Sequence, residues 1–404
     1  MLIKPRELKV VQCAMLAVLL VFTIMGVAVL PFLQWLSYAL WGLCCLFFLV
    51  MLFLYLRRPT MTRFTVWLAV YVTLLLVITV INANDVNSLK YFIVEVGLLM
   101  MIFKYYEENI TTTVKACAII FSGIIYFNLF YLIAFPEWIL TAKDTFRGYL
   151  LGGNYNQMGG RIICGLITNV LCLKFSRKWL FNIIPLFIVS ITTLFIVGST
   201  TSLVGAVMFT IVCLIPTLGL KKAAMVGIFV CWLLFQFFVV FAGEGLYNNE
   251  FASYFIQQVL GKSMTFTFRT TMWEASGNLF AESPIWGFGI ADEEWYRSNL
   301  SNVAIGPHNY IYYELLNGGL ILLTVVIIMV ATPVMNVIRY GLDNHSARLL
   351  LGIEVWFVMS LMEAYLTFCL IYMLTLVHYY PRLDKAVLGV EKGGAVGRGH
   401  KPTG

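Results

Sequence analysis

The sequence predicts an all-α polytopic membrane protein of about twelve transmembrane helices with one large polar loop, and three observations predict it. Of 404 residues, 61% are hydrophobic and only 12% charged, whereas a soluble domain has about a quarter of its residues charged. Apolar runs long enough to span a bilayer recur from end to end. Lys and Arg sit asymmetrically in the connectors between them. The whole chain, residues 1–404, reads as a single membrane domain with no internal repeat.

Val10–Leu30 is the first expected span, after Lys4, Arg6 and Lys9. Its length argues for a retained span over a cleaved signal peptide. Trp35–Leu56 ends at Arg57-Arg58, and Phe64–Ile81 leads to the polar turn Asn82–Asn87. Tyr91–Phe103 returns to Lys104, and Val114–Phe135 opens a polar loop through Gly153. Met158–Leu173 returns to Lys174, Arg177 and Lys178. Leu180–Val197 and Ser202–Leu218 are separated only by Gly198–Thr201, and Ala223–Phe241 leads out to residues 242–307, the large outer loop. Tyr310–Val337 leads back to Arg339.

Leu349–Tyr379 decides the count. As one helix it would be about 46 Å long, against a hydrocarbon core of about 30 Å. A single span would also place Arg382, Lys385, Lys392, Arg398 and Lys401 outside. A hairpin turning near Glu363-Ala364 keeps them inside and puts both termini in the cytoplasm. Twenty Lys and Arg then lie inside, and seven outside: Lys90, Lys143, Arg147, Arg161, Lys262, Arg269 and Arg297. Residues 386–404, Gly-rich and polar at the end, are expected to form a disordered cytoplasmic tail. The nine Cys all fall in apolar helices, at spacings of neither a disulfide framework nor a zinc site. The net charge of +7 is spread over connectors, so nucleic acid is not an expected partner.

The outer loop carries seven acidic and three basic residues. Any anion it handles must therefore be held by focused contacts. Within it, Phe266–Ala281 has Met272, Trp273, Leu279 and Phe280 near one helical face, and Pro284 stops it. Such a helix is expected along the membrane interface. Arg269 falls in its first turn, where a guanidinium and free backbone N–H groups together suit phosphate. The plainer reading is an arginine snorkelling to lipid headgroups. His308 precedes the next span, followed by Asn309 and, two turns on, Glu314. Arg147 and Arg161 lie on the same side and flank Gly152-Gly153-Asn154-Tyr155-Asn156-Gln157-Met158-Gly159-Gly160, a turn that brings backbone and amides close to a ligand. Three arginines and one His, with no Asp/His ligand cluster, suit a metal-free reaction at a phosphate leaving group.

These motifs, in order, resemble the O-antigen ligase and polymerase superfamily. They are Arg147 with Gly153-Asn154-x-Asn156-x-x-Gly159, Gly198-Ser199-Thr200-Thr201-Ser202, Arg269 to Trp273, Pro284-x-x-Gly287-x-Gly289, and His308-Asn309 before Gly318-Gly319. His308 followed by ten residues and Gly319 is also similar to the ligases' His-x10-Gly pattern. Thr200 stands where ligases usually carry Arg, and Trp273 where they tend to carry Leu, which favours a polymerase over a ligase.

The resemblance implies a C-type membrane glycosyltransferase in the bacterial cytoplasmic membrane, with its active site on the outer face and no cofactor. The implied substrates are undecaprenyl-pyrophosphate-linked glycans, joined into a surface polysaccharide such as O-antigen or capsule. Membrane lipid, a chain-length regulator and a flippase are the implied partners. His308, Arg269 and Arg147 are the expected catalytic residues. Arg161, Asn154, Asn156, Asn309 and Glu314 are expected at the substrate, with Trp273, Trp286 and Tyr310 as sugar-stacking surface or interfacial aromatic belt. A ligase delivering a finished glycan to a lipid or protein is the nearest alternative. A flippase is the rival from another class, set aside for want of related halves and of many midplane charges.

Overall fold

The computed structural model describes residues 16, 20, 34–57, 61–135, 157–242, 269–302, 304–365 and 367–396. Among them there is helix and connector, with no strand. The longer helices are α1 (Gln34–Leu56), α2 (Arg63–Ile81), α3 (Val86–Tyr105), α4 (Ile110–Ala134), α5 (Met158–Leu171), α6 (Leu180–Val197), α7 (Thr200–Leu214), α8 (Leu218–Phe235), α9 (Arg269–Glu282), α10 (Glu293–Asn299), α11 (Tyr310–Tyr340), α12 (Asn344–Met359) and α13 (Thr367–Val396). Among the described residues, six segments have the length and apolarity to cross a membrane: α2, α3, Glu107–Ala134, Arg177–Val197, Leu218–Val240 and α11. The expected first span lies outside the described residues apart from Leu16 and Leu20.

Local chemistry sets the helix ends. Thr62 caps α2 in a reciprocal box with Thr65, and Asp343 caps α12 in another with Ser346. Gly198 ends α6 in the left-handed conformation. α5 is buried along its whole length. Gly159 and Gly165 let it approach Ser202 of α7 and Phe121 of α4 closely. α11 packs on α2 and α13, and α12 on α7 and α8.

The chain breaks at Ser360–Tyr365, between α12 and α13, around the expected turn at Glu363-Ala364. Beyond it, α13 runs on to Val396. Residues 386–396 of the expected tail continue that helix, and residues 397–404 lie outside the described set.

α11 is two helices in one. Gly318 and Gly319 leave helical geometry, and the Pro284–Gly289 turn fills the gap. In an unbroken helix, the N–H groups of 320 and 321 would bond the carbonyls of 316 and 317. Here Leu320 N donates to Pro284 O (2.9 Å) and Ile321 N to Ile285 O (3.4 Å). The freed Leu316 and Asn317 carbonyls accept from Phe288 N (2.7 Å) and Gly289 N (3.0 Å). The two Gly motifs of the sequence are thus the two halves of one joint. Gly319 has φ +61 and ψ −159, and a Cβ there would lie 2.2 Å from Ile285 O. Gly319→Ala is therefore expected to destabilise the fold by about 3 kcal/mol or more, combining backbone strain with a clash on rigid backbone. A melting temperature of the purified variant equal to wild type would show that the turn is not wedged in the break.

Candidate active site

The broken helix presents His308 at its start. Three successive residues, 308 to 310, are fastened to the turn between α12 and α13. Tyr310 N donates to Ser360 O (3.0 Å). The Asn309 side chain donates to Leu361 O (3.1 Å) and to Gln236 Oε1 (3.0 Å), while its oxygen caps α11 at Tyr312 N (3.0 Å). His308 Nδ1 lies 3.2 Å from Glu363 Oε2. Gln236 belongs to a π-helical segment, Gln236–Val240, the sort of distortion that re-aims a side chain at a functional site.

His308 has φ +49, a left-handed conformation that costs a non-glycine residue strain and clusters at functional sites. Its neighbours hold it there. The Trp273 indole N–H points at His308 O at 3.5 Å, and Asn309 is fully engaged.

Glu363 links the two expected catalytic residues that the structure describes. Arg269 Nη2 lies 3.8 Å from the same Oε2 that meets His308. The Glu363 side chain is 4% exposed, against 14% for His308 and 20% for Arg269. A carboxylate only accepts, so a neutral imidazole paired with Glu363 carries its hydrogen on Nδ1 and keeps its lone pair on Nε2. That is the tautomer a general base needs.

The turn bearing Glu363 is itself supported by other motif residues. Gln157 Nε2 donates to Ala364 O (2.7 Å), and Tyr365 OH bonds Ser202 Oγ (2.9 Å), which meets Ser199 Oγ (2.9 Å). The serines between α6 and α7 thus brace the site from the back.

Several expected site residues are placed elsewhere. Trp273 is fully buried among Val240, Tyr312, Leu315 and Leu361. Tyr310 is buried against Trp356, ring centroids 5.0 Å apart. Neither ring has an open face for a sugar, so both are corrected to positioning residues. Asn309 and Glu314 are likewise corrected. Asn309 is a cap, and Glu314 is wholly buried, accepting from Tyr71 OH at 3.1 and 3.2 Å and from Thr367. Arg161, expected outside, is buried in α5 and acts electrostatically on Glu95 of α3, because the flanking glycines draw that helix into the bundle. Arg147, Asn154 and Asn156 lie outside the described residues. Trp286 is 56% exposed. The α9 helix, expected along an interface, has its apolar face covered by protein: Met272 and Leu279 pack with Tyr296, Leu300 and Leu316.

A second feature of the same loop is a cleft of about 530 Å³ between α10 and the turn joining α2 to α3. Asn84, Asn87, Trp295, Ser298 and Asn299 line it beside Asp85, Asp292 and Glu294, with no basic residue. Among the described residues, no group of three His, Cys, Asp or Glu is arranged to hold a metal ion.

Residues 185–327 match the family model described as O-antigen ligase, a stretch that includes Arg269, His308 and the joint at Gly318-Gly319. That stretch supports a relation to the O-antigen ligase/polymerase superfamily. Its members are membrane glycosyltransferase-like enzymes acting on lipid-linked glycans. Together with the apolar helices, this makes the chain a multi-pass membrane protein. No curated protein matches the chain. Glu363 lies outside the matched stretch, and so do Arg147 and Arg161.

Proposed function

We propose that the protein polymerises a bacterial surface polysaccharide, joining undecaprenyl-pyrophosphate-linked repeat units on the outer face of the cytoplasmic membrane. The proposed topology is twelve spans with both termini inside. The observation that carries the reading is the His308–Glu363–Arg269 cluster at the mouth of a broken helix.

The acceptor sugar hydroxyl loses its proton to His308 Nε2 as its oxygen bonds the anomeric carbon of the donor. The bond from that carbon to the pyrophosphate oxygen breaks, and its electron pair leaves on the lipid pyrophosphate. Arg269 lies where a guanidinium can take up that charge. Glu363 has two roles. It orients the imidazole and stabilises the imidazolium that forms, and it holds Arg269 until the anion arrives. The cleft at Trp295 offers amides, carboxylates and an aromatic edge without cations, which suits the uncharged part of a glycan better than a phosphate. Polymerase is preferred to ligase on Thr200 and Trp273, and the two differ only in the acceptor.

The test is a reconstituted reaction with purified protein, lipid-linked repeat unit and a divalent-cation chelator. Elongation to a ladder of lipid-linked products, undiminished by chelator, is expected. Loss of turnover that a divalent cation restores would remove the metal-independent mechanism. Transfer only to an added lipid acceptor, with no ladder, would make the protein a ligase.

A further inference from the structure

The end of the bundle far from His308 carries a second concentration of charge. α11 leaves His308 at Tyr310 and ends at Tyr340, and α12 starts at Asn344 and returns to the turn bearing Glu363. Asn344, His345 and Arg348 therefore lie at the opposite end from the candidate active site. There a cavity of about 460 Å³ opens between the connector before α6, the turn at Pro216 and the first turns of α12. Leu173, Leu180 and Pro216 form its apolar wall, and Arg177, His345 and Arg348 its basic one.

The acidic groups nearby are already engaged. Lys174 Nζ lies 2.8 Å from Asp343 and 2.6 Å from Asp384. Asp343 also accepts from Tyr380 and caps α12. Burial alone would raise the Asp343 carboxyl, but Lys174, Ser346 and Tyr380 hold it well below the usual carboxylate range. Lys221 is buried and donates to two neutral groups, Ile215 O (2.6 Å) and Asn344 Oδ1 (2.9 Å). Among the described residues, no carboxylate comes within ion-pair distance of Arg177, Arg348 or Lys221. Two donor-capable atoms of the basic wall, Arg348 Nε and His345 Nδ1, are shut off from solvent with no hydrogen-bond partner there. Native proteins rarely leave such atoms unsatisfied. Burial holds the His345 imidazole below its usual value; Lys174 and Arg348 push it the same way, opposed by Asp343 and Asp384.

We propose that this pocket binds the phosphate headgroup of an anionic membrane lipid. Two guanidinium groups supply forked donors to phosphate oxygens, and His345 lies beside them. The lipid source is chosen over a soluble anion because the mouth adjoins apolar surface. Leu180, Phe181 and Ile184 on α6, with Ile211 and Leu214 on α7, are all exposed, which gives an acyl chain a place to lie. In the topology proposed above, this end faces the cytoplasmic leaflet, whose anionic lipids attract basic pockets between helices.

The experiment measures lipid binding to the purified full chain in neutral detergent by native mass spectrometry, with phosphatidylglycerol and phosphatidylcholine as probes. Wild type is expected to prefer phosphatidylglycerol. Each basic residue near an anionic headgroup contributes roughly a fivefold factor. Arg177→Gln with Arg348→Gln should then weaken phosphatidylglycerol binding about 25-fold and leave phosphatidylcholine unchanged. If the double variant fails to fold, Arg177→Gln alone, on an exposed side chain, should lose about fivefold. An unchanged preference in the variants would overturn the proposal. So would displacement of phosphatidylglycerol by millimolar inorganic phosphate, which would make this a soluble-anion site. The readout is binding, not glycosyl transfer, so either result leaves the reading of His308 where it stood.

Discussion

His308→Ala is expected to slow chain growth by about 10²–10⁴-fold while leaving lipid-linked donor binding near wild type. That range is what a positioned general base contributes. The separation between turnover and binding follows from the proposed roles: Nε2, on the far side of the ring from the Nδ1 contact to Glu363 at 3.2 Å, is to serve the acceptor hydroxyl, and Arg269 the leaving group. Ala alone is an ambiguous probe, because residue 308 sits at φ +49, where alanine is strained. Asn tolerates that conformation better and cannot act as a base. His308→Asn should therefore lose as much turnover as His308→Ala and retain more stability. The measurement is product ladder length and initial rate at matched membrane levels, with donor binding followed separately. Near-normal turnover in the Asn variant would reduce His308 to a backbone hinge between loop and helix.

What the sequence made legible follows the physics of isolation. A helix-forming stretch of 20 apolar residues advertises itself, so the span boundaries near Ile81, Val197 and Phe241 lie within a few residues of the helix ends. Arg269 and His308 were legible because ionisable groups are conspicuous in a loop delivered by apolar helices. Glu363 was legible as a turn marker and as one of a few acidic residues in apolar runs, but not as a partner of His308. Its partner lies 55 residues away in the chain, and nothing local announces that distance. The remaining signal was thermodynamic: a carboxylate next to hydrocarbon needs a partner, and the His308 imidazole and the Arg269 guanidinium are groups that can meet it. Trp273 and Tyr310 were misjudged for the opposite reason. An aromatic ring in or beside a polar loop has the same local pattern whether it stacks on a sugar or anchors the loop, and only the fold, which buries both completely or nearly so, decides. The joint between Pro284–Gly289 and Gly318-Gly319 was visible as two Gly motifs, but not as one object. Hydrogen bonds between residues 28 or more positions apart leave no periodicity to read.

Arg269→Lys is expected to reduce polymerisation about ten- to several-thousand-fold, and this substitution separates the catalytic reading from the plain one most cleanly. Lys keeps the charge and nearly the length. It loses the planar fork that donates to two phosphate oxygens at once. Charge-assisted hydrogen bonds contribute roughly 1.5–3 kcal/mol each, so losing one gives at least about tenfold, and losing two, partly replaced by the ammonium, gives up to several thousand-fold. The fold should survive, because the Arg269 side chain is 20% exposed and a lysine ammonium can still approach Glu363. If Arg269 merely reached lipid headgroups, any long cation would serve and Lys would be near wild type. If it served only to neutralise Glu363, Lys would again suffice, while Arg269→Ala would remove a cation from beside a 4%-exposed carboxylate. The three cases thus differ in pattern. A pyrophosphate clamp gives Lys and Ala both crippled, with donor binding weakened less than transfer. A structural counter-ion gives Lys active and Ala destabilised. A snorkelling residue gives Lys near wild type and a stable Ala. Initial rates on a lipid-linked repeat unit, together with the melting temperature of each variant, sort them. An active Lys variant would take Arg269 out of the chemistry and leave His308–Glu363 to find its electrophile elsewhere.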